Sequence, residues 1–112
     1  MKPIPAAIRD YILRRDKHRC RLCQRPVERG HIHHIYRRYE QIPTKYEVPR
    51  VKGNNHPSNL ILLCPECHGA LHSSVPAHLK EILLKWNLEM EYLHPYPREV
   101  KEWLEKNSIG NE

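Results

Sequence analysis

The sequence predicts a small α+β domain in which short strands and flanking helices surround a zinc site. Two Cys-x-x-Cys pairs, Cys20 with Cys23 and Cys64 with Cys67, supply the four thiolates of a closed tetrahedral zinc centre. The apolar run at residues 60–63 predicts a short buried strand. The chain has no Phe and only 39% hydrophobic residues, so its core is thin, and zinc binding would add the missing folding free energy.

The remaining elements are predicted from apolar spacing and turn residues. Helical spacing predicts a helix over residues 3–16 and two helices over 76–106, each of the latter opened by a proline. Residues 27–36 contain several β-branched and aromatic side chains and predict a strand, or a hairpin interrupted at Gly30. Prolines, a glycine and asparagines recur over 37–58, which predicts a long loop.

Length and charge limit the class of protein. We expect residues 1–112 to form one domain, with a core at about 18–75. The net charge is +6, and residues 1–38 hold eleven Lys or Arg against three Asp or Glu, whereas residues 39–112 hold eight against ten. This asymmetry indicates a polyanionic partner such as nucleic acid, although a solvated surface explains it equally well. No signal-peptide pattern or membrane-length apolar run is present, so we expect a cytoplasmic protein that does not bind membranes.

The cysteines are interpreted as reduced metal ligands rather than as disulfides. Paired Cys-x-x-Cys knuckles without an export signal favour a metal, and a separation of 40 residues between the pairs adds little loop-closure entropy. We therefore expect the four thiolates to hold a structural zinc. A second partition stays open, because histidine also suits zinc. It would place Cys20, Cys23, His31 and His33 on one zinc, and Cys64, Cys67 and His72 on another.

The histidines left over by a four-cysteine site predict a second, catalytic metal. His33 and His34 are neighbours on a predicted strand, so their side chains point to opposite faces. One would bind metal and the other would act as a base, since the pKa of histidine lies near neutrality. His68 and His72 share one face of a predicted helix. Residues 69–71 lack the glutamate of zinc peptidases with this spacing.

The order of these motifs resembles that of the HNH endonucleases. It runs Cys-x-x-Cys, then His-His-Ile, then Asn-Leu-Ile-Leu-Leu-Cys-x-x-Cys-His-x-x-x-His, over about half of the chain. The resemblance implies a ββα-metal finger core. It also implies the subgroup in which four cysteines hold a structural zinc beside the active site.

The resemblance also implies roles for individual residues. His33 would bind the catalytic metal, and His34 would be the general base that activates water. Asn59 would pin the loop between the strands and orient the base. His68 would be a metal ligand, and His72 would be a second ligand from the same helix. The catalytic divalent ion would be Mn²⁺, Mg²⁺, Ni²⁺ or Zn²⁺, and imidazole ligands favour the softer ions over Mg²⁺.

The activity implied is hydrolysis of phosphodiester bonds in DNA, expected to be double-stranded, by nicking or by cutting both strands. Arg37 and Arg38 would hold flanking phosphates, or would form part of a solvated face. The long basic loop that follows them departs from the shorter loop of many relatives, which leaves substrate choice and biological role (restriction, phage DNA processing or homing) open. Five other histidines are expected at the surface: His18, His31, His56, His78 and His94.

Two alternatives belong to other functional classes. A non-catalytic zinc module that binds DNA or protein would explain the cysteines and the charge but not the spare histidines. A zinc-dependent deaminase would need a His/Cys-x-Glu motif ahead of its Pro-Cys-x-x-Cys, and that motif is missing from the sequence.

Overall fold

The computed structural model describes residues 4–28, 30–72, 75–89 and 97–108. Helices flank a two-stranded sheet, so the predicted α+β class is confirmed. The regular elements are α1 (Ala6–Arg15), β1 (His31–His34), β2 (Leu60–Leu63), α2 (Pro65–His72), α3 (Ala77–Glu89) and α4 (Arg98–Ser108). Three short 3₁₀ turns lie between the strands, at Thr44–Tyr46, Lys52–Asn54 and Pro57–Asn59.

The two strands and α2 form a ββα unit. β1 and β2 are antiparallel, with His31 opposite Leu63 and His34 opposite Leu60. The predicted strand over 27–36 was too long, because regular pairing begins only at His31. Gly30 does not interrupt a hairpin. It is buried, and a Cβ at this position would collide with the Leu62 side chain, so the glycine permits a close approach to β2.

β2 is the centre of the core, and its four side chains are fully buried. Ile61 and Leu63 pack in the larger apolar cluster, which contains residues from α2, α3 and α4. Leu60 and Leu62 pack in a smaller cluster that includes Ile12 of α1. A strand buried on both faces reads as a continuous apolar run. Helices cover both faces of β2, and for this reason neither face carries polar side chains.

The edge of β2 away from β1 is occupied by a buried ionic network around Asp16. The Leu62 amide donates to the Asp16 carboxylate at 3.0 Å, and the Arg21 amide donates to the Leu62 carbonyl at 2.9 Å. Arg15 and Arg21 also pair with this carboxylate, at 2.8 and 2.7 Å. Two of the arginines in the basic half thus hold the fold together. The charge count overstated the basic surface available to a polyanion.

The predicted helix boundaries were approximately right. α1 is shorter than the predicted 3–16, because it begins only after Pro5 and ends before Asp16. Residue 3 lies outside the described part of the chain. α3 and α4 each begin directly after the expected proline, and α4 continues beyond residue 106. None of the helices in the described residues is both long enough and apolar enough to span a membrane.

The long loop between the strands is docked on α3. The Asn54 side chain donates to the carbonyls of Arg37 and Glu40, at 2.6 and 2.8 Å. Lys80 of α3 binds the Glu40 carboxylate, with both nitrogen–oxygen distances at 2.7 Å. Hydrogen bonds thus replace regular secondary structure in this segment, and they fix its position beside β1.

Candidate active site and metal centre

The four cysteines come together, as the spacing predicts. Their sulfur atoms lie within 4.8 Å of one another, and all four are free of disulfides. The sulfurs of Cys23 and Cys64 are 3.6 Å apart. Thiolates on one tetrahedral zinc at about 2.3 Å would be about 3.8 Å apart, so the cluster is compact enough to close on one zinc ion.

The closeness of these thiols to one another shifts their pKa values in opposite directions. A hydrogen bond from Cys67 lowers the pKa of Cys20 to about 4. Burial raises the pKa of Cys64 to about 11, and the pKa of Cys67 is raised by its bond to Cys20. Zinc is bound by the thiolate form of cysteine, so zinc binding would release a proton from each thiol that is protonated without the metal.

The alternative partition of ligands over two zinc ions does not match this geometry. His31 and His33 lie beside His68, with the ring centroids of His31 and His68 4.8 Å apart and those of His33 and His68 5.6 Å apart, whereas the two cysteine pairs meet in one cluster. Among the described side chains, only the four cysteines form a tight group of three or more potential metal ligands.

A second group of polar side chains lies where β1 faces α2. Alternation along β1 places His31 and His33 on the same face, and His68 approaches both from α2. Two imidazoles that share one ion at about 2.1 Å have ring centroids about 5 Å apart. The separation of His33 and His68 is thus compatible with a common ion. The side chain of His72 lies outside what the structure describes, so its predicted role stays a prediction.

His34 occupies the opposite face of β1. Its Nε2 lies 2.8 Å from Oδ1 of Asn55, a residue of the interstrand loop that is itself buried. Because Oδ1 accepts, Nε2 carries a proton, and the neutral ring keeps its lone pair on Nδ1. Burial lowers the pKa of His34. The Asn55 hydrogen bond opposes this effect, and the Arg38 charge adds to it. These surroundings favour the neutral imidazole.

Asn59 is fully buried and binds backbone rather than the histidines. Its Oδ1 accepts from the Tyr36 amide at 2.8 Å, and its Nδ2 donates to the carbonyls of Tyr36 and Asn54, at 2.9 and 3.0 Å. These bonds join the chain just after β1 to the segment that carries Asn55. Asn59 thereby fixes the position of His34 relative to Asn55.

An open cleft of about 470 Å³ exposes the histidines of both faces. Its walls include His33, His34 and His68, and its rim includes Arg37 and Arg38. The two predicted phosphate contacts therefore lie in the same cleft as the predicted base. The walls present imidazoles, while the rim presents positive charge.

Two site residues were missed from the sequence. Asn55 orients His34, although the two residues are 21 positions apart in the sequence, and no local sequence pattern predicts this contact. His31 was expected at the surface, or as a zinc ligand in the second partition, but not as a partner of His68. It is exposed, but its Nδ1 lies 2.8 Å from Nδ1 of His68. The two-residue period shared with His33 was the available signal. His94, expected at the surface, lies outside the described residues.

The fold and the site define a ββα module with a four-cysteine metal centre beside a histidine-lined cleft. Residues 20–74 match the family model described as HNH endonuclease, and this segment contains both strands, all four cysteines and the histidines of the cleft. This segment of the chain thus belongs to the HNH endonuclease family, and its cysteine cluster is consistent with the zinc-bearing subgroup. Membership implies nuclease activity in general terms. Neither a curated protein nor a solved structure matches the chain.

Proposed function

We propose that this protein is a metal-dependent endonuclease that hydrolyses phosphodiester bonds of DNA, with His34 as the general base. The observation that carries the proposal is the division of the histidines by β1. His34 lies on one face and is oriented by Asn55, whereas His33 lies on the other face beside His68. Both faces open into one cleft rimmed by arginine.

His34 would take the proton from the attacking water. The hydrogen bond to Asn55 holds the ring and leaves Nδ1 as the basic atom. The lowered pKa keeps the ring neutral at physiological pH, as a base must be. Asn59 would act as a positioning residue, because it binds the backbone on both sides of this pair.

His33, His68 and His72 would hold the catalytic divalent ion. A bound ion would supply Lewis-acid stabilisation of the charge that develops on the phosphate. The 5.6 Å between the ring centroids of His33 and His68 is compatible with a shared ion, and nitrogen ligands favour Mn²⁺, Ni²⁺ or Zn²⁺ over Mg²⁺. The four cysteines would hold a separate zinc that has no part in the chemistry.

The substrate would be double-stranded DNA, bound through its phosphates. Arg37 and Arg38 on the cleft rim would grip the backbone on either side of the cleaved bond. We propose that the protein acts in the cytoplasm, where thiols stay reduced. We also propose that residues 1–112 form one domain.

A plasmid-relaxation assay tests the proposal, with separate arms for Mn²⁺, Mg²⁺, Ni²⁺ and no added metal. Supercoiled DNA should relax only when a divalent ion is supplied. His34→Ala should lower the rate by about 10²–10⁴ while DNA binding persists. The matched control is His78→Ala, which removes an exposed histidine of α3 and should leave the rate unchanged.

Full activity of His34→Ala would remove the proposed base. Binding of DNA without cleavage in any metal arm would leave a non-catalytic zinc module as the explanation. A flat dependence of binding on salt would contradict recognition through phosphates.

A further inference from the structure

The turn at residues 37–40 presents an aromatic side chain to solvent. Tyr39 is 85% exposed, whereas no other large hydrophobic side chain in the described ranges exceeds the 49% of Tyr11. Isolated exposed hydrophobic residues are common and need no explanation. Tyr39 differs from such isolated residues in two ways: its backbone is held by several hydrogen bonds, and it lies beside the cleft.

The turn is held rigidly from several sides. The Glu40 amide donates to the Arg37 carbonyl at 3.0 Å, and the Arg37 amide donates to the Glu40 carboxylate at 2.6 Å. Asn54 binds the carbonyls of both residues, and Lys80 binds the same carboxylate from α3. Tyr39 thus projects from a backbone that is already fixed. A partner would meet a platform that needs little further ordering.

The platform adjoins the catalytic cleft. Arg37 and Arg38, which precede Tyr39 directly, both line the cleft with His33 and His34. Lys80 neutralises the one carboxylate of the turn, so the surface that faces a polyanion is basic. Guanidinium groups bind phosphate, and an aromatic ring binds the face of a base. A single turn therefore offers the two chemistries that a nucleotide needs.

We propose that this turn is a base-stacking platform. Arg38 holds a phosphate beside the cleaved bond, and Tyr39 stacks on a neighbouring nucleobase that has left the duplex stack. The inference rests on the proposed DNA substrate. Removing a base from a paired duplex costs a few kcal/mol, and the cost is smallest where the base is already unpaired. The enzyme is thus expected to prefer DNA that contains a bulged, mismatched or gapped base over perfectly paired DNA.

Fluorescence of 2-aminopurine tests the platform directly. The zinc-loaded full chain, carrying His34→Ala so that DNA stays intact, is titrated into a duplex with one bulged 2-aminopurine and into its fully paired counterpart. Stacking on tyrosine should quench the bulged probe. Tyr39→Ala should abolish the quench and weaken binding of the bulged duplex by roughly tenfold. Tyr39→Phe should retain both properties, and Tyr11→Ala serves as the exposed-tyrosine control.

The outcomes separate the platform from the nuclease. Unchanged quench and affinity in Tyr39→Ala would overturn the platform, and so would an equal loss on bulged and paired duplexes. A Tyr39→Ala variant with altered oligomeric state would instead assign the residue to a protein contact. Plasmid relaxation by the wild type shows whether the nuclease proposal survives, whichever result the quench gives. Zinc content and circular dichroism confirm that each variant is folded.

Discussion

Replacing Asn59 with alanine should destabilise the protein more than most single substitutions can. The amide makes three hydrogen bonds to backbone groups, and two of them are fully buried. Alanine would leave the amide and carbonyl of Tyr36 and the carbonyl of Asn54 without these partners. A buried polar group without a partner costs about 1–3 kcal/mol, so three such groups sum to roughly 3–9 kcal/mol. Since a domain is stable by only about 5–15 kcal/mol, the variant would be marginally folded.

Urea unfolding of the zinc-loaded protein, followed by far-UV circular dichroism, measures this loss. The matched control is Asn87→Ala, which removes a half-buried amide that donates to the Ser58 carbonyl at 2.6 Å. That variant should lose only about 1 kcal/mol of unfolding free energy, because the Oδ1 of Asn87 has no hydrogen-bond partner to lose and its Nδ2 is the only group that donates. Of these two variants, only Asn59→Ala should lower the cleavage per folded molecule, because Asn59 binds the segment that follows His34 and Asn87 does not. A loss below about 1 kcal/mol for Asn59→Ala would refute this account of the network.

Three further predictions concern the rest of the fold. Asp16→Asn keeps the shape but leaves the nearly buried Arg21 without its counter-charge, so thermal unfolding should show a loss of about 3–5 kcal/mol; an unchanged midpoint would contradict the network. Cys64→Ser should abolish tight zinc binding, measured by elemental analysis, and helical circular dichroism should fall with it; a zinc-free variant with native helicity would exclude a structural metal. Burial raises the pKa of Glu40, but hydrogen bonds from Lys80 and the loop backbone outweigh it and leave the pKa lowered. The ionised Glu40 carboxylate therefore stabilises the fold at a pH above its pKa in the unfolded chain, and this stabilisation is lost as the pH falls through its pKa in the folded protein. The difference in stability between the wild type and Glu40→Gln should thus shrink in acid. A difference that stays constant with pH would contradict the role of Glu40 in docking the loop.

The sequence predicts the metal centre and the order of elements well, because both depend on local signals. Two-residue spacers between cysteines restrict the ligands to one geometry, and a four-residue apolar run bounded by polar segments is typical of a buried strand. The strand over 27–36 was predicted too long, since propensity does not show where a pairing partner ends. β2 has only four residues, and β1 cannot pair beyond them.

The parts of the site that the sequence did not predict depend on contacts between distant residues. His34 meets Asn55 because the loop is folded back and fixed by Asn59, which no periodicity reveals. The charge count treated Arg15 and Arg21 as surface residues, because it contains no information on burial. Both arginines are drawn from the surface by ion pairs with Asp16. The sequence does not reveal this role, because a lone aspartate at the end of a helix forms no recognisable motif.

The metal centre and the cleft are not independent, because α2 belongs to both. Cys64 directly precedes this helix, and its sulfur and carbonyl accept from the amides of Cys67 and His68, at 3.4 and 2.9 Å. A zinc ion held by Cys64 and Cys67 would fix the first turn of α2 in place, and His68 projects from that turn toward His33. The position of His68 relative to β1 thus follows from sulfur ligation one residue earlier. A zinc at the four cysteines would therefore set the geometry on which the proposed chemistry depends, even though it would take no part in that chemistry.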